Sequence, residues 1–317
     1  MTRTIAAHGL VEAGDHIMVA VSGGKDSYSL LQLLWEARRR APFPFDLTAV
    51  HLDQGQPGYD GTPLRRWLQA FGAPFEIVSR DTYSTVIRVT REGKSYCGAC
   101  SRMRRGILYN TAERLGCNKI ALGHHRDDTL ETLLLNLFYS GKMQAMPAGY
   151  TTDDGRFDVI RPLIECAESD IIEYAAQAGY PILPCNLCGS QDGLHRVKMG
   201  QLLQQLERDN PNVRSVMLNA LRNVRPSHLL DPTVARIPVP DETLPAASAE
   251  RAASTPAPAP VAPEQLPAAS AEMAASTSAP APVPGETLPA ASAETAASLS
   301  APAPVAPEQL LKIVRDR

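Results

Sequence analysis

The hexapeptide Ser22-Gly23-Gly24-Lys25-Asp26-Ser27 constrains this chain more than any other stretch. An apolar, β-branched run, His16-Ile17-Met18-Val19-Ala20-Val21, leads into it, and a leucine-rich run, Tyr28 to Trp35, leads out. The first run has the length and composition of a strand, the second the spacing of a buried helix face. The hexapeptide is therefore a turn between a buried strand and a helix. Adjacent glycines tolerate positive φ and let backbone approach a ligand. The first N–H groups of the following helix lack intrahelical partners, and with the helix dipole they favour an anion in the turn. Lys25 adds a positive charge, and Ser22 and Ser27 add hydroxyls. Together these residues make a phosphate cradle. It differs from the G-x-x-x-x-G-K-[ST] loop because the lysine directly follows the second glycine.

Composition divides the chain near Pro238. Residues 238–317 hold 15 of the 27 prolines and carry a net charge of −5, which leaves the remainder at +2 within the total of −3. The segment Leu-Pro-Ala-Ala-Ser-Ala-Glu recurs at Leu244, Leu266 and Leu288. These repeats lack the large apolar residues that a solenoid buries, so a disordered tail is expected over 238–317, after one domain over 1–230. Mild basicity in that domain permits an RNA partner. There is no signal-peptide pattern and no run of membrane-spanning length, so a cytoplasmic setting without a membrane partner is expected.

Strands are expected over 15–21, 45–52, 75–79 and 119–122, alternating with helices over 26–40, 63–71, 101–115 and 129–138. A turn at Asp153-Asp154-Gly155 and helices over 168–178, 195–208 and 212–224 follow. Strand–helix alternation predicts an α/β fold, a parallel sheet with helices on both faces. Ligands of such sheets bind beyond the carboxyl ends of the strands. Asp53 ends the second strand there and reads either as a ribose or adenine contact or as a strand-end cap. His124 and His125 follow the fourth strand, one as a phosphate or base contact, the other as structure. Asp127 and Asp128 next to them read as helix-start acids favoured by the dipole, or as a source of one carboxylate for Mg²⁺ on ATP phosphates, with Asp128 the candidate. Arg104, on the helix that follows the first cysteine pair, reads as a solvated charge or as a phosphate contact.

Cys97-x-x-Cys100 and Cys185-x-x-Cys188 have the spacing of a four-cysteine metal site. Structural zinc, an iron–sulfur cluster and persulfide chemistry all fit that spacing. Cys117 and Cys166 read as small buried apolar residues.

The hexapeptide resembles the S-G-G-x-D-S motif of the PP-loop ATP pyrophosphatases, a HUP-like α/β family. Those enzymes hold the pyrophosphate part of ATP and transfer AMP to a substrate oxygen. Four further segments extend the likeness: CGACSRMRRGILY at 97–109, GHHRDDTLETLLLNLFYSGKMQAMP at 123–147, IRPL at 160–163 and PCNLCGSQ at 184–191. With them the chain is similar, over roughly 15–231, to the tRNA-cytidine 2-sulfurtransferases. The resemblance implies ATP-dependent thiolation at C2 of cytidine 32 in the tRNA anticodon loop, with ATP, Mg²⁺ and a [4Fe–4S] cluster. It implies nucleotide contacts from Ser22, Gly23, Gly24, Lys25, Asp26, Ser27, Asp53 and His124, and catalytic roles for Lys25, Asp26, Asp128 and Arg104. It puts the cluster on Cys97, Cys100 and Cys188, with Cys185 nearby. A cysteine desulfurase would supply sulfur, and a homodimer is an allowed assembly. The chain departs from the family in starting close to its first strand, so that an N-terminal helix is short or missing, and in its repeated tail. Rival readings are a lysidine synthetase, a thiouridine synthase, or a zinc-bound RNA-binding protein.

Overall fold

The computed structural model describes residues 1–90, 96–183 and 191–233. Of these, 1–224 form one compact unit and 225–233 fall in a second, with a short 3₁₀ turn at Pro226–His228. The first unit runs α1 (Thr2–Ala7), β1 (His16–Ala20), α2 (Lys25–Arg40), β2 (Asp46–Asp53), α3 (Thr62–Phe71), β3 (Phe75–Ser79), α4 (Thr82–Val89), α5 (Cys97–Arg114), β4 (Lys119–Ala121) and α6 (Arg126–Leu135). A π-helical turn, Asn136–Ser140, extends α6; then come β5 (Gly149–Thr151), β6 (Asp158–Ile160), α7 (Glu168–Ala178), α8 (Gln191–Asp209) and α9 (Val213–Arg222).

The six strands pair in the order β3-β2-β1-β4-β6-β5, all parallel except β5, which runs antiparallel to β6. The α/β expectation is met. Ile17, Met18 and Val19 of β1 have no solvent exposure, which suits a central strand covered on both faces. Leu30, Leu31 and Leu34 of α2 pack with Ile17, Val19 and Leu64 in one cluster. Met18, Val50 and Ile120 pack on the other face with Ala112 of α5. The chain goes outward from β1 to β2 and β3, then returns to β4 on the other side. That reversal puts a crevice at the carboxyl ends of β1 and β4, the usual place for a ligand. Among the described residues no helix is long and apolar enough to cross a membrane.

Several details differ from the sequence expectation: α5 begins at Cys97 rather than Ser101, and α8 at Gln191 rather than His195. The helix expected over 129–138 starts at Arg126, because His125 and Asp128 form a reciprocal capping box. Its end is π-helical rather than α-helical. The N-terminal helix, expected to be short or missing, is the six-residue α1, and one helix, α4, was not anticipated. Asp81 caps α4 by accepting from Ser84 N at 2.9 Å, and the run Asp81-Thr82-Tyr83-Ser84 carries that signal in the sequence.

A buried ion pair fixes β4 beside β1. Lys119 Nζ lies 2.9 Å from Asp15 Oδ2, and both side chains are buried. Burial alone would raise the Asp15 pKa; hydrogen bonds from Glu12 N, Lys119 and Asn118 outweigh it and hold the carboxyl below its ordinary 3.8. The stability this acid contributes is therefore present above about pH 4 and is lost as pH falls through its lower folded value. Lys119→Met is expected to cost about 3–5 kcal/mol in urea denaturation at pH 7, because it strands a buried carboxylate. A loss below about 1 kcal/mol would show that the pair does not hold the strands together.

Candidate active site

The turn after β1 takes the expected cradle shape. Gly23 has φ +89°, and Gly24 is the extended N-cap of α2. A Cβ on Gly23 would lie 2.9 Å from Leu183 Cδ1. Leu183 N also donates to Gly23 O at 2.9 Å, so the 180–183 segment closes against the turn. From the other side comes Gly123, where a Cβ would lie 3.0 Å from the Asp26 carbonyl carbon and 3.2 Å from Ser27 N. Ser27 Oγ accepts from Ser22 N at 3.1 Å and donates to Gly24 O at 2.8 Å, with Ser22 Oγ 3.2 Å away. Behind the turn, buried His51 Nδ1–H donates to Val21 O at 2.7 Å. Its Nε2 then accepts from Tyr59 OH, since neutral imidazole has one donor and one acceptor. Burial keeps the His51 pKa low.

Ion pairs surround the cradle. Lys25 Nζ lies 2.9 Å from Glu168 Oε1 and 3.1 Å from Asp26 Oδ1. Burial would lower the Lys25 pKa; hydrogen bonds to Glu168 and Asp26 with their charges reverse this and raise it, so the amine is a cation. The Asp26 Oδ1 atom is shut off from solvent and accepts no hydrogen bond. His125 Nε2 stands 3.5 Å from Asp128 Oδ2 and 3.8 Å from both Asp26 Oδ1 and Glu168 Oε1.

The two neighbouring acids divide their work. Asp127 is buried; its Oδ2 accepts from Glu168 N at 2.8 Å, capping α7, and its Oδ1 takes Arg214 at 2.5 Å. Asp128 is less buried, closes the capping box with His125, and pairs with Arg196 at 2.8 Å. His124 accepts from Arg161 Nε at 3.3 Å, while Arg161 also donates to Pro147 O at 2.9 Å. Asp53 lies at the same edge, where its Oδ1 caps the following turn at Gly55 N, 2.9 Å away. Cys100 Sγ is 3.3 Å from Gln54 Oε1, which brings the start of α5 to the carboxyl end of β2. Arg104 is exposed on α5, near enough for its charge to act on His51. Cys185 and Cys188 lie outside the described residues.

These residues fit two groups. The side-chain-free turn with Lys25 beside it fits a phosphate. Asp26 Oδ1, which is paired with Lys25 but accepts no hydrogen bond, fits a cation next to that phosphate. Among the described residues no three side chains of ligating type are arranged to hold a metal ion alone; Mg²⁺ needs only one or two carboxylates when phosphates and water supply the rest. Cys97 and Cys100, three residues apart at the start of α5, are the members of the expected soft-thiol donor set that lie within the described residues. A separate cavity of about 780 Å³ is lined by Thr4, Glu165, Tyr174 and Arg222.

Comparison with known proteins gives this edge a family. A PP-loop domain matches residues 3–182. The tRNA-cytidine(32) 2-sulfurtransferase of Paracidovorax citrulli is 54% identical over 232 residues, covering 73% of this chain and 75% of that protein. The chain belongs to the tRNA-cytidine(32) 2-sulfurtransferase family. The Bordetella pertussis member is also 54% identical, over 73% of this chain and 72% of its own. Among solved structures, the U34-tRNA thiolase NcsA from Methanococcus maripaludis, with its [4Fe-4S] cluster, shares the fold at TM-score 0.56 and 20% identity, covering 74% of this chain and 78% of that one.

Sequence reasoning missed Glu168, Arg161, Arg196 and Gly123 at this sulfurtransferase-family site. The first three come from elements remote in the chain; Arg161 lies in the IRPL segment, and no local pattern marks Glu168 or Arg196. Gly123, by contrast, adjoins the His124-His125 pair, and a glycine at a strand's carboxyl end is a readable sign of close backbone approach.

His124 gives a pH test of the arrangement. Burial is the main force holding its pKa down, to about 4; Asp128 opposes it, and the charges of Arg161, Arg196 and His125 add to it. The ring is neutral in the folded state where an unfolded histidine, near 6.5, takes a proton. Stability from this group is therefore lost as pH falls from about 6.5 toward 4. An NMR titration is expected to place the His124 midpoint near 4; a midpoint above 6 would contradict the buried pairing with Arg161.

Proposed function

We propose that this chain is an ATP-dependent tRNA thiolase that replaces the C2 oxygen of cytidine 32 with sulfur. The observation that carries the reading is the cradle at the β1/β4 crevice: positive-φ Gly23 and the Lys25–Asp26 ion pair on one edge with Cys100. Family membership supports the substrate, and the PP-loop domain supports ATP.

A pyrimidine C2 oxygen is a poor leaving group, and adenylation makes it a good one. In this reading the C2 oxygen attacks the α-phosphorus of ATP, the bond to the bridging oxygen breaks, and pyrophosphate departs. Backbone N–H groups of Gly23, Lys25 and Asp26 and the Lys25 cation hold the charge that develops on pyrophosphate. Asp26, with Asp128, would hold Mg²⁺, which would neutralise the phosphates when bound. Asp53 and His124 border the nucleotide, and Arg104 meets RNA phosphate. Hydrosulfide sulfur then adds to C2, AMP leaves with the former C2 oxygen, and a proton is released. Cys97, Cys100 and Cys188 would hold a [4Fe–4S] cluster, which would supply sulfur-transfer chemistry when bound. Anticodon-loop bases can be splayed out to reach such a site. The sulfur comes ultimately from a cysteine desulfurase, and the assembly is a monomer or a homodimer in the cytoplasm.

The test is nucleoside analysis of tRNA after incubation with the anaerobically prepared protein, ATP, Mg²⁺ and sulfide. 2-Thiocytidine is the expected product; unmodified cytidine with an intact cluster and ATP would refute the proposal. Lys25→Ala is expected to lower tRNA-dependent pyrophosphate exchange by about 100-fold, the scale seen when one charge-stabilising group is removed. Exchange near the parent level would remove Lys25 from the chemistry. Cys97→Ala, Cys100→Ala and Cys188→Ala should each lose iron, sulfide and thiolation, whereas Cys185→Ala should keep the cluster. Stoichiometric zinc without iron in the parent, or cluster loss in Cys185→Ala, would overturn the three-cysteine assignment.

A further inference from the structure

One conspicuous feature lies outside the cradle. The π-helical turn after α6 puts large apolar side chains into solvent: Phe138 is 60% exposed, Tyr139 54% and, just beyond, Met143 72%. A monomer gains nothing in stability from exposing neighbouring aromatics, and π-turns are frequent at functional sites. The segment is held in shape. Asn136 Nδ2 donates to Gln144 O at 2.7 Å, Lys142 N donates to Asn136 O at 3.0 Å, and Gly141 ends the turn in the left-handed region.

The segment is also tied to the cradle from two sides. Gln144 is three residues from Pro147, so at most about 11 Å of chain separates them. Pro147 O accepts from Arg161, the partner of His124. On the other side the Tyr139 ring packs edge-on to His195 at 4.5 Å, and the next residue, Arg196, pairs with Asp128. Charge points to a polyanion: no acidic residue occurs between Glu131 and Asp153, and Lys142 lies in the middle of that run.

We infer that Phe138, Tyr139 and Met143 form a stacking platform for an unpaired base of the RNA loop whose neighbouring cytidine enters the cradle. The inference rests on the thiolase reading. Aromatic rings take any base by its π-face, and a nearby cation holds the backbone. Stacking one loop base here would keep its neighbour extended out of the loop and directed toward the nucleotide.

The full-length protein and its Phe138→Ala/Tyr139→Ala and Phe138→Trp variants test this by binding to an RNA hairpin carrying the anticodon loop, across a range of salt. The double alanine variant is expected to bind about tenfold or more weakly. Its salt dependence should match the parent's, because stacking releases no counterions. Phe138→Trp should bind like the parent, and a fully paired RNA duplex should not distinguish the three proteins. Parent-like hairpin affinity in the double variant, or an equal loss for hairpin and duplex, would overturn the platform. A changed sedimentation coefficient of the RNA-free double variant would also overturn it, assigning the surface to contact between protein copies. Thiolation of full-length tRNA by the parent separates the two proposals: the platform can fail while thiolation stands, and absent thiolation brings down both.

Discussion

At Gly23 two demands meet that no other residue satisfies. The backbone must adopt φ +89° to leave a central buried strand and enter α2, and Leu183 leaves no room for a Cβ. At Gly123 only the space is limiting, against the backbone of Asp26 and Ser27. The turns that follow the paired strands β1 and β4 come into close contact because both are bare. That approach makes the crevice in which Lys25, Asp26, His125 and Asp128 converge. Much of the remaining structure serves to hold it: His51 anchors the end of β1, Asp127 caps α7 so that Glu168 reaches Lys25, and Arg196 draws α8 onto Asp128.

The electrostatics follow from the same geometry. Lys25 is paired on both sides rather than free, so a nucleotide's phosphates would compete with Glu168 and Asp26 for one cation. Asp26 Oδ1 accepts no hydrogen bond, and its charge is met by the Lys25 ammonium 3.1 Å away. A cation bound with the phosphates would share that carboxylate with Lys25. At the neighbouring pair, Arg161 and burial keep His124 neutral, so that it accepts a hydrogen bond rather than adding positive charge.

The parallel sheet and the cradle were legible because their determinants are local: a β-branched strand, two glycines, a lysine and a leucine-spaced helix lie within twenty residues. The capping role of Asp127 and the pairing of Asp128 were not separable, because both are acids at a helix start and only their distant partners, Glu168 with Arg214 and Arg196, tell them apart. Helix α4 was missed although Asp81 supplies a cap, since the run after it is short and β-branched. Glu168, 143 residues from Lys25, carries no local signal of its role.

The central claim is that the oxygen leaving C2 departs on AMP. Transcribed tRNA labelled with ¹⁸O at C2 of cytidine 32 tests it directly, with AMP and the modified nucleoside both read by mass spectrometry after a single turnover. The account predicts one ¹⁸O in AMP for each 2-thiocytidine formed. Unlabelled AMP alongside 2-thiocytidine would contradict it.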